Sequence, residues 1–205
     1  MIVEMRTYSL KPGTVADFER NFAKGLPRRE ELSKLGALWH TETGTHDQII
    51  HIWPYASTAE RDRCREEGYK IEGWPPDIRD FVVEMESKIL VPAPFSPPVE
   101  PRAVGPLFEI VTETYWLGSI PHVVKAWSGA IEMREKLSPL VGAWRSEIGP
   151  LNEWIHIWAY RDAAHLDRVR KEVERLEAWP PKAESARVQS RRSILARPAS
   201  FSPIQ

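Results

Sequence analysis

The sequence predicts an α+β fold. Two ferredoxin-like βαββαβ repeats are expected to pack sheet to sheet as an intrachain pseudo-dimeric α+β barrel. Three observations predict it. The chain repeats itself at an offset of 105 residues, over about a whole small domain. Each copy reads as strand, helix, strand, strand, helix, strand. A four-stranded sheet with helices on one face leaves its other face bare, and two such sheets can cover each other.

The repeat is visible by eye. Ile50-His51-Ile52-Trp53-Pro54-Tyr55 returns as Ile155-His156-Ile157-Trp158-Ala159-Tyr160, and Trp74-Pro75-Pro76 as Trp179-Pro180-Pro181. Trp39 maps to Trp144 and Gly44 to Gly149. Roughly three in ten aligned positions are identical. The register holds from Glu4/Glu109 to Leu90/Leu195, after which one extra residue is placed before Phe201-Ser202-Pro203. A unit of this length is a domain rather than a solenoid repeat. The expected boundaries are 1–97 for the first domain, 98–104 for a proline-rich linker and 105–205 for the second domain.

The elements follow in order. Residues 2–9 alternate, with Ile2, Glu4, Arg6 and Tyr8 on one side, which makes a strand. Lys11-Pro12-Gly13 turns the chain and Thr14 can cap a helix. Val15, Phe18, Phe22 and Leu26 give that helix its apolar stripe, and Pro27 is expected to kink or break it. The second copy has Ser119 as cap, then Ile120, Val123, Trp127 and Ile131, with no proline inside. Strands are expected near 36–43 and 48–55. A second helix opens at Ser57, whose spacing to Glu60 is that of a capping box, and its copy opens at Asp162. Trp74-Pro75-Pro76-Asp77 reads as the start of a short helix before a last strand around 86–91. The prolines between the copies make an extended, semi-rigid spacer.

Composition excludes several classes. The formal charge is -1 and acids interleave with the arginine clusters, so no nucleic-acid partner is expected. No apolar run spans a bilayer, and the chain enters its first strand without a signal-peptide pattern, so no membrane association is expected. Cys64 is the single cysteine, which leaves neither a disulfide nor a thiolate metal site. The cytoplasm is the expected compartment.

The candidate site residues cluster on the strands. On the third strand Ile50 and Ile52 are expected to turn under the helices, and Ile49, His51, Trp53 and Tyr55 toward the barrel interior. Trp154, His156, Trp158 and Tyr160 repeat the pattern, and Glu4, Arg6 and Tyr8 are expected to share that face. His51 and His156 are the catalytic candidates, since imidazole serves as acid or base near neutral pH. Each can equally be a structural histidine that hydrogen-bonds across the sheet. Arg6, Tyr8, Trp53, Tyr55, Trp158 and Tyr160 are the ligand-binding candidates. Arg6 can receive a carboxylate through its fork or pair with Glu4. The paired tryptophans can pack cores or line an aromatic pocket. No metal site is predicted, and neither is any cofactor.

Arg6-Thr7-Tyr8-Ser9-Leu10-Lys11-Pro12-Gly13, Ile50-His51-Ile52-Trp53-Pro54-Tyr55 with Arg61 after it, and Ile89-Leu90-Val91-Pro92-Ala93-Pro94-Phe95-Ser96-Pro97 resemble the NIPSNAP family. The resemblance covers nearly the whole first repeat. In the second it departs at Val111 and Glu113, and is good from Gly142 to Pro181. It implies the dimeric α+β barrel superfamily, which holds cofactor-free monooxygenases, lactone isomerases and haem-binding enzymes. It transfers no particular reaction.

The expected function is binding of a small, partly apolar molecule in the barrel, with processing by His51 or His156 and orientation by Arg6 as a possible addition. The alternatives are a non-catalytic protein-interaction module and a haem-binding barrel protein. Internal pairing removes the need to homodimerise, while outer strand edges leave a further homodimer open.

Overall fold

The computed structural model describes residues 1–177, 179–181, 183 and 186–205. The first repeat comprises β1 (Ile2–Leu10), α1 (Val15–Arg29), β2 (Ala37–Thr41), β3 (Gln48–Tyr55), α2 (Thr58–Gly68) and β4 (Val82–Pro92). The second comprises β5 (Leu107–Tyr115), α3 (Ile120–Ser128), α4 (Ile131–Glu135), β6 (Leu140–Ile148), β7 (Glu153–Tyr160), α5 (Ala163–Glu174) and β8 (Val188–Pro198). The α+β fold and the twofold internal repeat are as the sequence predicts.

The eight strands form one closed antiparallel barrel in the order β1-β3-β2-β8-β5-β7-β6-β4. Closure is made by exchange. The last strand of each repeat pairs with the second strand of the other, β4 with β6 and β8 with β2. The exchange pairing is short, Ile89–Pro92 of β4 on β6 and Ala196–Pro198 of β8 on β2, so the earlier stretches of β4 and β8 keep one strand edge unpaired.

One apolar cluster fills the barrel and draws on all eight strands. It includes Val3, Met5, Trp39, Ile50, Ile52, Leu90, Phe108, Ile110, Trp144, Ile155, Ile157 and Ile194. This reverses one expectation. Ile50 and Ile52 point into the barrel, whereas Ile49, Trp53 and Tyr55 belong to a second cluster with Phe18, Phe22 and Leu26 of α1. Branched aliphatics suit the narrow space inside a small barrel. Along β3 the larger rings, Trp53 and Tyr55, take the layer between strands and helices. The expected ligand space inside the barrel is therefore occupied by core side chains.

Several local expectations are corrected. α1 continues through Pro27 to Arg29, because a proline near the end of a helix disturbs only its last turn. The helix break falls in the second repeat, between α3 and α4 at Gly129-Ala130. At Thr14 the side chain makes no cap; its hydroxyl donates to the Lys11 carbonyl at 2.8 Å. Ser57 and Asp162 do cap, accepting from the backbone N–H of Glu60 and His165. No helix forms at Trp74-Pro75-Pro76; the segment is irregular, with cis Trp74–Pro75 and Trp179–Pro180 peptides. The extra residue enters earlier than the sequence alignment places it. Arg6 faces Ser87 on β4, and Val111 faces Ser193 on β8, an offset of 193 − 87 = 106.

The linker is more than a spacer. Val99 and Val104 pack on the barrel cluster, and Arg102 bridges to Ile204 as a strand-like pair. The segments after β4 and β8 also cross over. Ala93 and Phe95 pack in the second repeat's helix layer, and Ala199 and Phe201 in the first's. The crossings match: Ala93 N–H donates to Ala143 O, and Ala199 N–H to Leu38 O. Among the described residues no helix is long and apolar enough to cross a membrane.

Candidate functional site

Each repeat holds a cavity between its sheet and its helices. In the first repeat β1 and β3 are antiparallel, with Arg6 opposite His51 and Glu4 opposite Trp53. These four side chains and Tyr8 and Tyr55 face a cavity of about 310 Å³. Phe22 of α1, Arg65 of α2, the Trp74-Pro75-Pro76 loop and Met85 of β4 complete its wall. The second repeat builds the equivalent space from Glu109, Val111, Glu113, His156, Trp158 and Tyr160, with Trp127, Arg170, Trp179 and Arg191 around them. That cavity is about 900 Å³.

The two histidines are held alike. Trp53 Nε1–H donates to His51 Nδ1 at 2.8 Å, and Trp158 Nε1–H to His156 Nδ1 at 2.9 Å. An indole can only donate, so Nδ1 in each case carries the lone pair and the proton of the neutral ring sits on Nε2. Burial, aided by the Arg6 guanidinium and opposed by Glu4, pushes the His51 pKa down to about 3. Burial, with Arg191 and Arg134, holds His156 well below its ordinary value. Both rings are neutral N–H donors at physiological pH. His51 Nε2 is buried and meets no partner among the described residues.

A second constellation recurs behind the histidines. Buried Arg29 donates to Tyr55 Oη at 3.0 Å and Ser33 Oγ at 2.8 Å, and lies 4.7 Å over the Trp53 ring. Arg134 donates to Tyr160 Oη at 3.2 Å and Ser138 Oγ at 2.8 Å, and lies 4.0 Å over Trp158. Among the described residues neither arginine has a carboxylate partner, and each is held by neutral oxygens and ring faces. The sequence carries the signal for it, since Arg29/Arg134 and Ser33/Ser138 are identical pairs at the repeat offset, but neither arginine is among the predicted site residues.

Glu4 and Glu109 are buried carboxylates on matching positions. Glu4 Oε1 accepts from Arg61 at 2.5 Å, Ser87 at 2.9 Å and Arg6 at 3.1 Å. Glu109 accepts from Ser193 at 2.8 Å, Arg170 at 2.9 Å and Tyr160 at 3.1 Å. Burial raises both carboxyl pKa values, but the Arg6 and Arg61 partners of Glu4, and the Arg170 and Ser193 partners of Glu109, outweigh it and hold them below the ordinary value. The expected Arg6–Glu4 pairing is therefore present, and Arg6 Nη1 also donates to Tyr8 Oη at 2.9 Å.

Beyond this shared frame the sites differ. Val111 replaces Arg6 and Glu113 replaces Tyr8. Glu113 accepts from Tyr115 Oη at 2.8 Å and sits 3.7 Å from Arg191, which stands on β8 where the first repeat has Met85. Among the described lining residues, the first cavity sets Arg6, Arg29, Arg65 and Arg79 against Glu4 alone. In the second, Arg134, Arg170 and Arg191 balance Glu109, Glu113 and Glu174 among the described lining residues. Of the predicted site residues, Arg6, Tyr8, His51, Trp53 and Tyr55 meet in the first cavity and His156, Trp158 and Tyr160 in the second. They form two sites, not one.

The NIPSNAP family model matches the chain twice, over residues 3–97 and 109–203. Protein NipSnap of Drosophila melanogaster is 31% identical over 99 residues, covering 47% of this chain and 36% of that protein. Protein NipSnap homolog 2 of Homo sapiens is 24% identical over 187 residues, 87% of this chain and 65% of that protein. The chain thus spans less than two thirds of the length of either relative. Among solved structures, a putative monooxygenase from Lactobacillus acidophilus superposes with a TM-score of 0.64 at 12% identity, covering 96% of this chain and 93% of that one, a likeness of fold.

Proposed function

The chain belongs to the NIPSNAP family, as two tandem copies in one barrel, and on that premise we propose that it binds small, partly apolar molecules. The sites are the two cavities between sheet and helices rather than the barrel interior. The observation that carries this reading is the repeated histidine. Each is locked by a tryptophan into the Nε2–H form beside a cavity with aromatic walls, and at His51 that N–H has no acceptor among the described residues. A few convergent polar groups in an aromatic hollow are what a small-ligand site requires. A buried donor left unmet costs about 1–3 kcal/mol, and a ligand acceptor removes that cost.

The histidines act in this reading as donors that orient a ligand. A ring held neutral, with its lone pair already engaged, is a poor general base. Haem ligation through Nε2 asks for a free lone pair there, and the tryptophan donors leave a proton instead. The proposed setting is the reducing cytoplasm, which suits the buried, unpaired Cys64.

Native mass spectrometry and crystal soaking with broad metabolite sets test the proposal. A bound molecule contacting His156 or His51 is the expected result. A protein that takes up nothing, with both cavities closed by side chains in the crystal, would sink it.

A second reading, an interaction module, draws on one observation. Trp116 and Leu117, just past β5, and Leu151, in the β6–β7 turn that the Tyr115 N–H to Asn152 O bond ties to β5, are exposed where the first repeat has Lys11, Pro12 and His46. Exposed apolar side chains gathered in one place mark contact surfaces. A Leu117→Asp variant that loses a partner captured by the unaltered protein supports this reading; equal capture by both removes it.

A further inference from the structure

The first-repeat cavity carries more chemical instruction than its size suggests. Two side chains of its wall carry buried N–H donors without a partner among the described residues, Nε2 of His51 and Nε of Arg6. They come from directly opposed residues of β1 and β3, so both can reach one acceptor group. His51 is 2% exposed. The remaining Arg6 nitrogens are committed, Nη1 to Tyr8 and Nη2 to Glu4. Glu4, the single acid among the described lining residues, already takes Arg6, Arg61 and Ser87 on its Oε1. Arg29, Arg65 and Arg79 add positive charge with no further acid among the described lining residues. Donors without acceptors, in a cationic hollow, ask for an anion.

The walls decide which anion. Phe22, Trp53 and Trp74 are rings in mutual contact, Phe22 and Trp74 at 5.4 Å and Trp53 and Trp74 at 6.3 Å between centroids. They leave room for an apolar body that inorganic phosphate lacks. We infer that the first-repeat cavity is a carboxylate site, in which His51 Nε2–H and Arg6 Nε–H receive the carboxylate of a small ligand whose apolar body lies against these rings. The assignment deepens the small-molecule reading above and rests on it. The second cavity lacks the pair. Val111 stands opposite His156, and Glu113 brings an acid where Tyr8 stands in the first repeat.

Calorimetric titration of the full chain tests the assignment with benzoate, phenylacetate and hexanoate, their neutral amides, and inorganic phosphate. At least one carboxylate is expected to bind at one site per chain, and its amide at least about tenfold more weakly, the difference expected when a charge-assisted pair of hydrogen bonds is lost. Arg6→Gln is expected to weaken the carboxylate by a similar factor while circular dichroism stays unchanged. The graft Val111→Arg with Glu113→Tyr is expected to raise the stoichiometry from one to two. Should an amide bind as well as its acid, or phosphate displace the carboxylate, the carboxylate assignment is wrong and the small-molecule reading stands. Should no member of either series bind, the assignment is likewise wrong, and ligand capture by the second cavity decides the wider reading separately. Carboxylate binding that survives Arg6→Gln also overturns it.

Discussion

At matching places on β1 and β5 the first repeat puts Arg6 and Tyr8, and the second puts Val111 and Glu113. The frame around them is kept: the tryptophan-locked histidine, the arginine over a tryptophan ring, and the carboxylate held by a serine and a helix arginine. What changes is the cavity. It is about 310 Å³ and cationic in the first repeat, and about 900 Å³ and charge-balanced, among the described residues, in the second. The shared set is therefore scaffold, and the differing set is what makes the two cavities unlike. In a symmetric dimer of identical chains every substitution alters both sites at once. A fused pair can alter one.

Four measurements press on this comparison, from the largest effect to the smallest. Trp39 and Trp144 are both fully buried in the one barrel cluster. Trp39→Ala and Trp144→Ala are each expected to cost about 3–5 kcal/mol and to leave a single urea transition by circular dichroism. Two separate transitions would mean that the repeats are independent units after all.

Glu4→Gln and Glu109→Gln separate the two carboxylate networks. Removing the Glu4 charge leaves Arg6 and Arg61 partly stranded, at an expected cost of about 3 kcal/mol. The Glu109 partner Arg170 is half exposed, so water compensates and about 1 kcal/mol is expected. Both carboxyls have folded-state pKa values below the ordinary 4.5. Their contribution is present above that value and is lost as pH falls through the lower folded value. The histidines add a term of the same sign. Both folded pKa values are depressed, that of His51 to about 3, so the unfolded chain takes up the proton first, and stability falls as pH drops below 6.5. Urea midpoints measured between pH 7 and 3 are expected to fall throughout, and less steeply below pH 4.5 in Glu4→Gln than in the unaltered protein. An identical slope there argues against the Glu4 contribution.

Gly142 of β6 stands where the first repeat has Ala37. A Cβ on Gly142 runs into the Trp144 ring, held in the core. Gly142→Ala is expected to cost about 2 kcal/mol by overpacking, and Ala37→Gly about 1 kcal/mol or less. Equal costs in thermal melts would show that Trp144 moves aside freely.

The two exchange seams give the smallest difference. Lys88–Glu153, at 2.7 Å and mostly buried, lies at the β4–β6 seam, and half-exposed Arg197–Glu42, at 2.6 Å, at the β8–β2 seam. Lys88→Met is expected to cost about 1 kcal/mol and Arg197→Met about 0.3 kcal/mol. The reverse order would contradict burial as the deciding variable.

Much of this was legible in the sequence. Alternation marks β1, the caps at Ser57 and Asp162 mark the starts of α2 and α5, and the offset of 105 marks the duplication. The residues that meet at each cavity were also legible, because they repeat. Which side of β3 faces the barrel was not. Every residue of β3 except Pro54 is buried, since helices cover the outer face, and alternation then carries no sign. The barrel closure hides for a different reason. It depends on β4 and β8 continuing past their own repeat, and the Pro92 and Pro198 ends look locally like linkers. The charge carried by Arg191 escaped because the extra residue before β8 shifts it opposite Glu113, a register only the strand pairing reveals.

The exchanged strands also order events during synthesis. When residue 97 has left the ribosome, β4 has no β6 to pair with, and β2 has no β8. The first repeat waits with two unpaired strand edges and with its helix layer lacking Phe201. Such edges attract other strands. The exposed acids Glu84 and Glu86 stand on one of them. Like charges on neighbouring chains repel, so these residues guard a stretch of β4 that β6, which pairs only with Ile89–Pro92, leaves uncovered even in the finished barrel.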